Sequence, residues 1–385
     1  PPPPPATHTS TPSSAASDVY KRQDIYIARM EWAASSDEVV IQRLNRHQSQ
    51  LDLLLGDART GATSLLFAER DEAWLDANDD MHWVDAGQRF TWTSDRDGFS
   101  HVYLYDRSGR LLRQLSRGTW DVTAFHGVDE NAGRVFFTAA AESPITRSVY
   151  WVPLDGGDMT LIAGGRGTHS ARFSPDFGLF TDTYSSINAP PVTRLRQTAD
   201  GSEVRVLEDN AELAARLEAL DLREPEFITV QADDGAVLNA WIIKPRDFDP
   251  SQSYPLLMYV YGGPGSQTVR DAWGGTRLLW HQMLVQDGIL VASVDNRGTG
   301  ARGREFKKQV YMRLGQLETA DQLAAMRQLG DLPYVDASRI GIWGWSYGGY
   351  MALMASLLGG EQVAAAIAGA PVTSWELYDT IYTER

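Results

Sequence analysis

Between Asp24 and about Val206 the apolar positions come in short runs broken by polar turns, the pattern of strands and hairpins. One unit recurs: an aromatic or apolar strand, a turn holding Asp and Gly, then another apolar strand. It reads LDLLLGDARTGATSLLF around Asp57, HVYLYDRSGRLLRQL around Asp106 and VYWVPLDGGDMTLI around Asp155. It returns more weakly as VTRLRQTADGSEVRVL around Asp200, so the successive spacings are 49, 49 and 45 residues. A self-similar period of that length, made of hairpins, predicts the blades of a β-propeller, with an irregular β-sandwich as the alternative. Asp and Gly suit the turns because both tolerate positive φ. About four blades are visible, so the expectation is a partial propeller, cut at its amino-terminal end.

Near Leu207 the texture changes. EDNAELAARLEALDL predicts a helix with Asp209 or Asn210 as its cap. FITVQADDGAVLNAWIIKP predicts a hairpin turning at Asp234–Gly235. PLLMYVYGG from Pro255 and ILVASVDNRG from Ile289 are apolar runs ending in Gly-rich turns, as buried parallel strands do. LETADQLAAMRQLG from Leu317 predicts an amphipathic helix, and VAAAIAGAP a further buried strand. Strand–helix alternation implies a doubly wound, mostly parallel α/β sheet.

Residues 344–348 read Gly-Trp-Ser-Tyr-Gly, a G-x-S-x-G motif between a predicted strand, Arg339–Trp343, and a helix beginning near Tyr347. That is the setting of a nucleophile elbow, which lifts the serine hydroxyl off the sheet edge; the alternative is a Gly-rich packing turn. Ser346 is the candidate nucleophile. Its developing oxyanion needs donors, and the backbone N–H of Tyr347 is the expected first one. VYGGPGSQ, residues 260–267, follows an earlier strand, and Tyr261 there either offers a phenol as second donor or is a strand-end aromatic. A triad needs Asp and His after the serine. None of the seven histidines (His8, His47, His82, His101, His126, His169, His281) follows Ser346, and His281 reads as structural. The expectation is a chain truncated at both ends. The predicted organisation is a disordered or non-native segment at 1–23, a partial β-propeller at 24–206 and a partial α/β-hydrolase domain at 207–385.

Composition narrows the chemistry further. The 385 residues include no cysteine, which excludes disulfides, thiolate catalysis and Cys-based zinc sites. Asp79–Asp80 and Asp233–Asp234 read as solvated turn charges, so no metal or other cofactor is expected. The net charge of −15 argues against nucleic acid as partner. It either steers cationic ligands such as peptide amino termini or simply keeps the surface soluble. No apolar run approaches the ~18–20 residues of a membrane span. The opening PPPPPATHTSTPSSAAS lacks the apolar segment of a signal peptide and has a disordered composition.

The flanks of the elbow carry a resemblance. GIWGWSYGGY (341–350), APVTSWELYDTIYTER (370–385), YVYGGPGSQ, DNRGTG (295–300) and RGTWDV (117–122) resemble the dipeptidyl peptidase IV branch of the prolyl oligopeptidase family, most sharply over the last ~130 residues. The resemblance implies a serine exopeptidase that releases dipeptides after Pro or Ala, with Ser346 as nucleophile and Tyr261 and Tyr347 as oxyanion donors. It implies that Val372, Trp375, Tyr378 and Tyr382 line the pocket for a proline ring, a flat apolar group that packs well on aromatic faces. Tyr378 could also bond the substrate's amino end. It implies no cofactor, a homodimer for the full-length protein and a periplasmic or extracellular location, with bacterial members the better match. The family's paired glutamates for the free amino terminus have no counterpart here and are expected before residue 24. Two rivals stand beside this reading: an acylaminoacyl peptidase or esterase on the same scaffold, and a non-catalytic propeller module that binds peptides.

Overall fold

A computed structural model describes residues 24–384. The expected disorder of residues 1–23 lies outside them. Two compact units are distinguished, one gathering the residues up to Asp79 with those from Asp379 onward, the other running from Asp80 to Tyr378.

The first unit holds one antiparallel four-stranded meander, β1 (Ile25–Trp32), β2 (Glu38–Asn45), β3 (Gln50–Asp57) and β4 (Thr63–Arg70), paired in that order. Val40, Leu44, Leu51 and Leu53 are buried in it. The helical turn Thr380–Thr383 belongs to the same unit.

Three more four-stranded meanders open the second unit. They are β5 (His82–Val84) to β8 (Leu111–Gln114) through β6 (Arg89–Ser94) and β7 (His101–Asp106); β9 (Val122–Asp129) to β12 (Thr160–Ala163) through β10 (Arg134–Ala139) and β11 (Ser148–Pro153); and β13 (Thr168–Phe173) to β16 (Glu203–Glu208) through β14 (Leu179–Ser186) and β15 (Ala189–Gln197). Successive residues of a strand face opposite sides, and β10 uses this directly. Phe137 enters a core with Val84, Val102 and Leu104 of the preceding sheet, whereas Phe136 enters another with Ala171 and Phe180 of the following one. Trp120, from the RGTWDV segment, stacks on Phe137. Sheets packed face to face in series are the blades of a β-propeller. The four predicted Asp turns each join the third and fourth strands of a sheet, at Asp57, Asp106, Asp155 and Asp200. The Asp57 carboxylate accepts the N–H groups of Arg59 and Thr60, and the Asp106 carboxylate those of Ser108 and Arg110.

After β16 comes α1 (Ala211–Glu218), where Asp209 accepts the first N–H, that of Ala211. A six-stranded sheet follows in the order β17 (Glu226–Gln231), β18 (Val237–Ile243), β20 (Leu290–Asp295), β19 (Tyr254–Tyr259), β21 (Val335–Trp345), β22 (Ala365–Gly369). Its last four strands run parallel, and β17 and β18 form the predicted hairpin. The helices are α2 (Gly275–Gln286), α3 (Gly303–Lys308), α4 (Gln316–Gly330) and α5 (Tyr347–Gly359). This is the α/β-hydrolase arrangement, and its core also receives Ile145 and Ile187 from propeller loops. VAAAIAGAP is a strand, β22, as expected. It lies at the sheet edge, with Ile367 57% exposed, and borders an open apolar groove of about 530 Å³ with Trp280, Trp343 and Trp345.

Two polar features pin this sheet. Arg297 grips the fully buried Asp321 through Nε and Nη2, the latter at 2.6 Å, and reaches Asp234 with Nη1. His281, on α2, is buried among Trp241, Tyr259, Trp280 and Trp343. Burial pushes its pKa down to about 3, and that of His126 down to about 4.

Replacing Arg297 by Met strands the Asp321 carboxylate and should lower stability by about 3–5 kcal/mol, read from the urea midpoint. A shift under about 1 kcal/mol would contradict a buried pair. The histidines add a pH dependence. Unfolded, each titrates near pH 6.5, so on acidification protons bind the unfolded chain first. Stability should be whole above about pH 6.5 and decline from there toward pH 4, by up to about 1.4 kcal/mol per pH unit for each histidine. Urea midpoints that stay flat over that interval would contradict it.

Candidate active site

Ser346 sits between β21 and α5 with φ 57° and ψ −117°, a conformation that costs a non-glycine residue of order 1–3 kcal/mol. Two backbone bonds hold it there: its N–H donates to the Gly369 carbonyl at 2.9 Å, and its carbonyl accepts from Tyr350 N–H at 3.0 Å. The glycines on either side are a steric requirement. A Cβ on Gly344 would lie 2.4 Å from the Val260 carbonyl oxygen, and one on Gly348 2.2 Å from the same atom. Val260 continues from β19 and donates its N–H to the Trp343 carbonyl at 2.9 Å. The elbow and the loop that starts at Tyr261 are thus pressed together through one peptide group. Ser346 itself is half-buried, at the amino terminus of α5, whose dipole favours negative charge there.

Tyr261, Tyr347, Trp375 and Tyr378 are brought into one aromatic cluster. Tyr261 and Tyr347 have ring centroids 6.1 Å apart, Tyr347 and Trp375 5.7 Å, and Trp375 and Tyr378 6.0 Å. Burial, and then the neighbouring Tyr378, push the Tyr261 phenol above its ordinary pKa, which keeps it a proton donor at neutral pH. Val372 is half-buried in the segment between β22 and Trp375. Tyr382 belongs to the other compact unit, on the turn Thr380–Thr383, where its N–H donates to the Asp379 carboxylate at 2.9 Å.

Three residues that sequence reasoning passed over support the cluster. Tyr350 packs edge-on against both Tyr347 and Trp375. The buried Glu318 accepts the Tyr347 hydroxyl at 2.6 Å and, with its other oxygen, the N–H of Gly315 at 2.9 Å. Desolvation raises the pKa of this carboxyl. The signal was present as a capping box, Glu three residues after the helix cap, but with Gly315 in place of the usual Ser or Thr. Asn296, within DNRGTG, donates to the Gly262 carbonyl at 2.9 Å and so fixes the loop just beyond Tyr261.

The histidines lie elsewhere. His101 bonds Ser116 and Gly118, His126 bonds Thr138, and His169 bonds Asp182, all in propeller sheets. Among the described residues no group of three or more His, Cys, Asp or Glu side chains gathers as a metal site would. No helix among them is long and apolar enough to cross a membrane.

Comparison with known proteins adds to this geometry. Residues 5–191 match the model of the dipeptidyl peptidase IV N-terminal region, and residues 277–385 that of the prolyl oligopeptidase family. The chain is 31% identical over 389 residues to a dipeptidyl peptidase 4 of Trichophyton equinum, covering 98% of this chain and 50% of that protein. It is 33% identical to a probable dipeptidyl-aminopeptidase B of Botryotinia fuckeliana, covering 95% of this chain and 41% of the relative. The crystal structure of Porphyromonas gingivalis dipeptidyl peptidase 4 superposes with a TM-score of 0.90 at 42% identity, covering 94% of this chain and 51% of that one. The chain therefore spans about half the length of the relatives it matches.

Tyr347→Phe removes the donor to a buried carboxylate without changing the ring. It should lower stability by about 1–3 kcal/mol in chemical denaturation, the cost of leaving a buried acceptor unpaired. A neutral effect would mean that Glu318 finds another donor.

Proposed function

This chain belongs to the prolyl oligopeptidase family, in its dipeptidyl peptidase IV branch, and on that premise we propose that the full-length protein is a serine exopeptidase releasing dipeptides from peptide amino termini after Pro or Ala. The observation that carries the reading is Ser346 on a strained strand–helix turn, beside a loop bearing Tyr261 and an aromatic wall of Tyr347, Trp375 and Tyr378.

In this reading Ser346 Oγ attacks the carbonyl after the second residue. Its proton passes to a histidine that the rest of the full-length protein supplies, oriented by an aspartate from the same part. Negative charge develops on the carbonyl oxygen and is met by the Tyr347 amide and the Tyr261 hydroxyl. The amine leaves with the proton, and water then hydrolyses the acyl-enzyme. Val372, Trp375 and Tyr378 supply apolar surface for the proline ring. The same proposal includes a boundary near Leu207, propeller before and hydrolase after, and a homodimer for the full-length protein. In support of the boundary, the last four-stranded meander ends at Glu208 and the mixed sheet begins at Glu226.

The test is turnover of Gly-Pro p-nitroanilide by the full-length protein. Ser346→Ala should abolish it, and Tyr261→Phe should lower kcat by about 10²–10³, the usual worth of one oxyanion donor. Turnover of acyl-amino acids or simple esters with none of Gly-Pro p-nitroanilide would point instead to the acylaminoacyl peptidase or esterase reading.

A further inference from the structure

Tyr347 and Tyr350 stand three residues apart on α5, the spacing that puts two side chains on one side of a helix. Both bring their hydroxyls to the start of α4. Tyr347 donates to Glu318 Oε1 at 2.6 Å, and Tyr350 to the Leu314 carbonyl at 3.1 Å. Gly315, with φ 81°, makes room for the second of these, since a Cβ there would lie 2.1 Å from the Tyr350 oxygen. Glu318 is fully buried and held at both carboxylate oxygens, Oε1 by the phenol and Oε2 by the Gly315 N–H at 2.9 Å. Thr319 closes the same turn by donating its hydroxyl to the Gly315 carbonyl.

The tethered ring also carries the loop that starts at Tyr261. A Cβ on Gly263 would lie 3.1 Å from Tyr347 Cγ and 3.0 Å from Tyr261 Cε1, so the loop backbone runs close against both rings. The two ring centroids are 6.1 Å apart. The Tyr347 amide is the first of α5, at the end where helix N–H groups point outward along the axis. A phenol-to-carboxylate bond of 2.6 Å is of the short, strong kind. One buried carboxylate therefore fixes a ring on which both oxyanion donors depend: the amide belongs to the same residue, and the Tyr261 loop rests against it.

We infer that Glu318 is a positioning residue for the oxyanion site: through the Tyr347 ring it sets where the Tyr347 amide and the Tyr261 hydroxyl stand relative to Ser346. This rests on the reading of Ser346 as an acyl-transfer nucleophile. Glu318 bonds the phenol and the Gly315 N–H, not the groups that react, so it acts at one remove. Its loss loosens donors that count most when negative charge develops, so kcat and kcat/KM should fall together while KM stays.

The experiment uses the full-length protein with Glu318→Gln, Tyr347→Phe and the double variant. KM and kcat are measured on Gly-Pro p-nitroanilide. Each preparation is also titrated to completion with a small alkyl fluorophosphonate, whose endpoint counts the sites with a reactive Ser346, so that kcat is expressed per site. Glu318→Gln keeps the shape but offers one carbonyl oxygen where the carboxylate uses two. It should lower kcat about tenfold with KM within about twofold, less than the loss of a whole donor. Tyr347→Phe deletes the same bond from its other end and should act alike. The double variant should be no worse than the poorer single one, because one bond is lost either way. If Glu318→Gln does not fold, Tyr347→Phe decides. Unchanged kcat per site in the variants of an active wild type would overturn this inference alone. So would losses that multiply in the double variant, or a loss confined to the number of titratable sites. A wild type inert to Gly-Pro p-nitroanilide but active on an acyl-amino acid anilide or a simple ester would overturn the dipeptide reading, and the same kcat comparison on that substrate would then decide this one. A wild type that turns over none of them would overturn both.

Discussion

The Val260 carbonyl oxygen is approached from two sides by backbone that leaves no room for a side chain. Gly344 precedes Ser346 by two residues and Gly348 follows it by two, and a methyl group on either would fall within 2.4 Å of that one oxygen. Strand β19 is thereby locked to the elbow, and the next residue, Tyr261, is fixed relative to the serine. The strain at Ser346 persists because backbone on both sides over-determines it. The aromatic rings then stand on this frame: Tyr347 is tied down to Glu318, Trp375 packs on Tyr347 and Tyr350, and Tyr378 packs on Trp375.

The same economy runs through the propeller strands. β10 serves two interfaces at once, Phe137 on one face and Phe136 on the other. Propeller loops also contribute to the hydrolase core, where Ile145 and Ile187 pack with Trp241 and Tyr259. Polar links accompany them. Asp121, at the end of RGTWDV, accepts the N–H of Ser100 and that of Gly303, and the Ile187 N–H donates to Asp271 at 2.9 Å. Within the unit from Asp80 to Tyr378 the two kinds of sheet are therefore joined by both apolar packing and hydrogen bonds.

Much of this was legible in the sequence, because the signals are local. The 49-residue recurrence marked the turn between the third and fourth strands of each sheet, and the G-x-S-x-G motif fell between strand and helix as its chemistry demands. What escaped was set by tertiary contact. Helix α2 buries one face, Leu278, His281, Gln282 and Val285, but two of those four are polar and apolar Met283 lies off that face, 52% exposed, so no clean apolar stripe announced it. Glu318 and Tyr350 reach the site only through helix packing. The clasp of Arg46 on Glu384 joins residues 338 positions apart, and nothing in either local sequence announces the other.

The alternation in β10 divides the propeller into places where chain length is fixed and places where it is free. A single inserted residue in β10 would turn Phe136 and Phe137 to each other's faces and spoil two cores together. The loops at Asp57 and Asp106 close on their own carboxylates and carry exposed residues at their tips, Arg59 and Thr60 in one and Ser108 and Arg110 in the other, so an extra peptide at a tip leaves both strands in register. Those two loops are accordingly where an epitope or a fluorophore-bearing loop can be grafted, or the backbone reopened as new termini, with the strand pairing left intact.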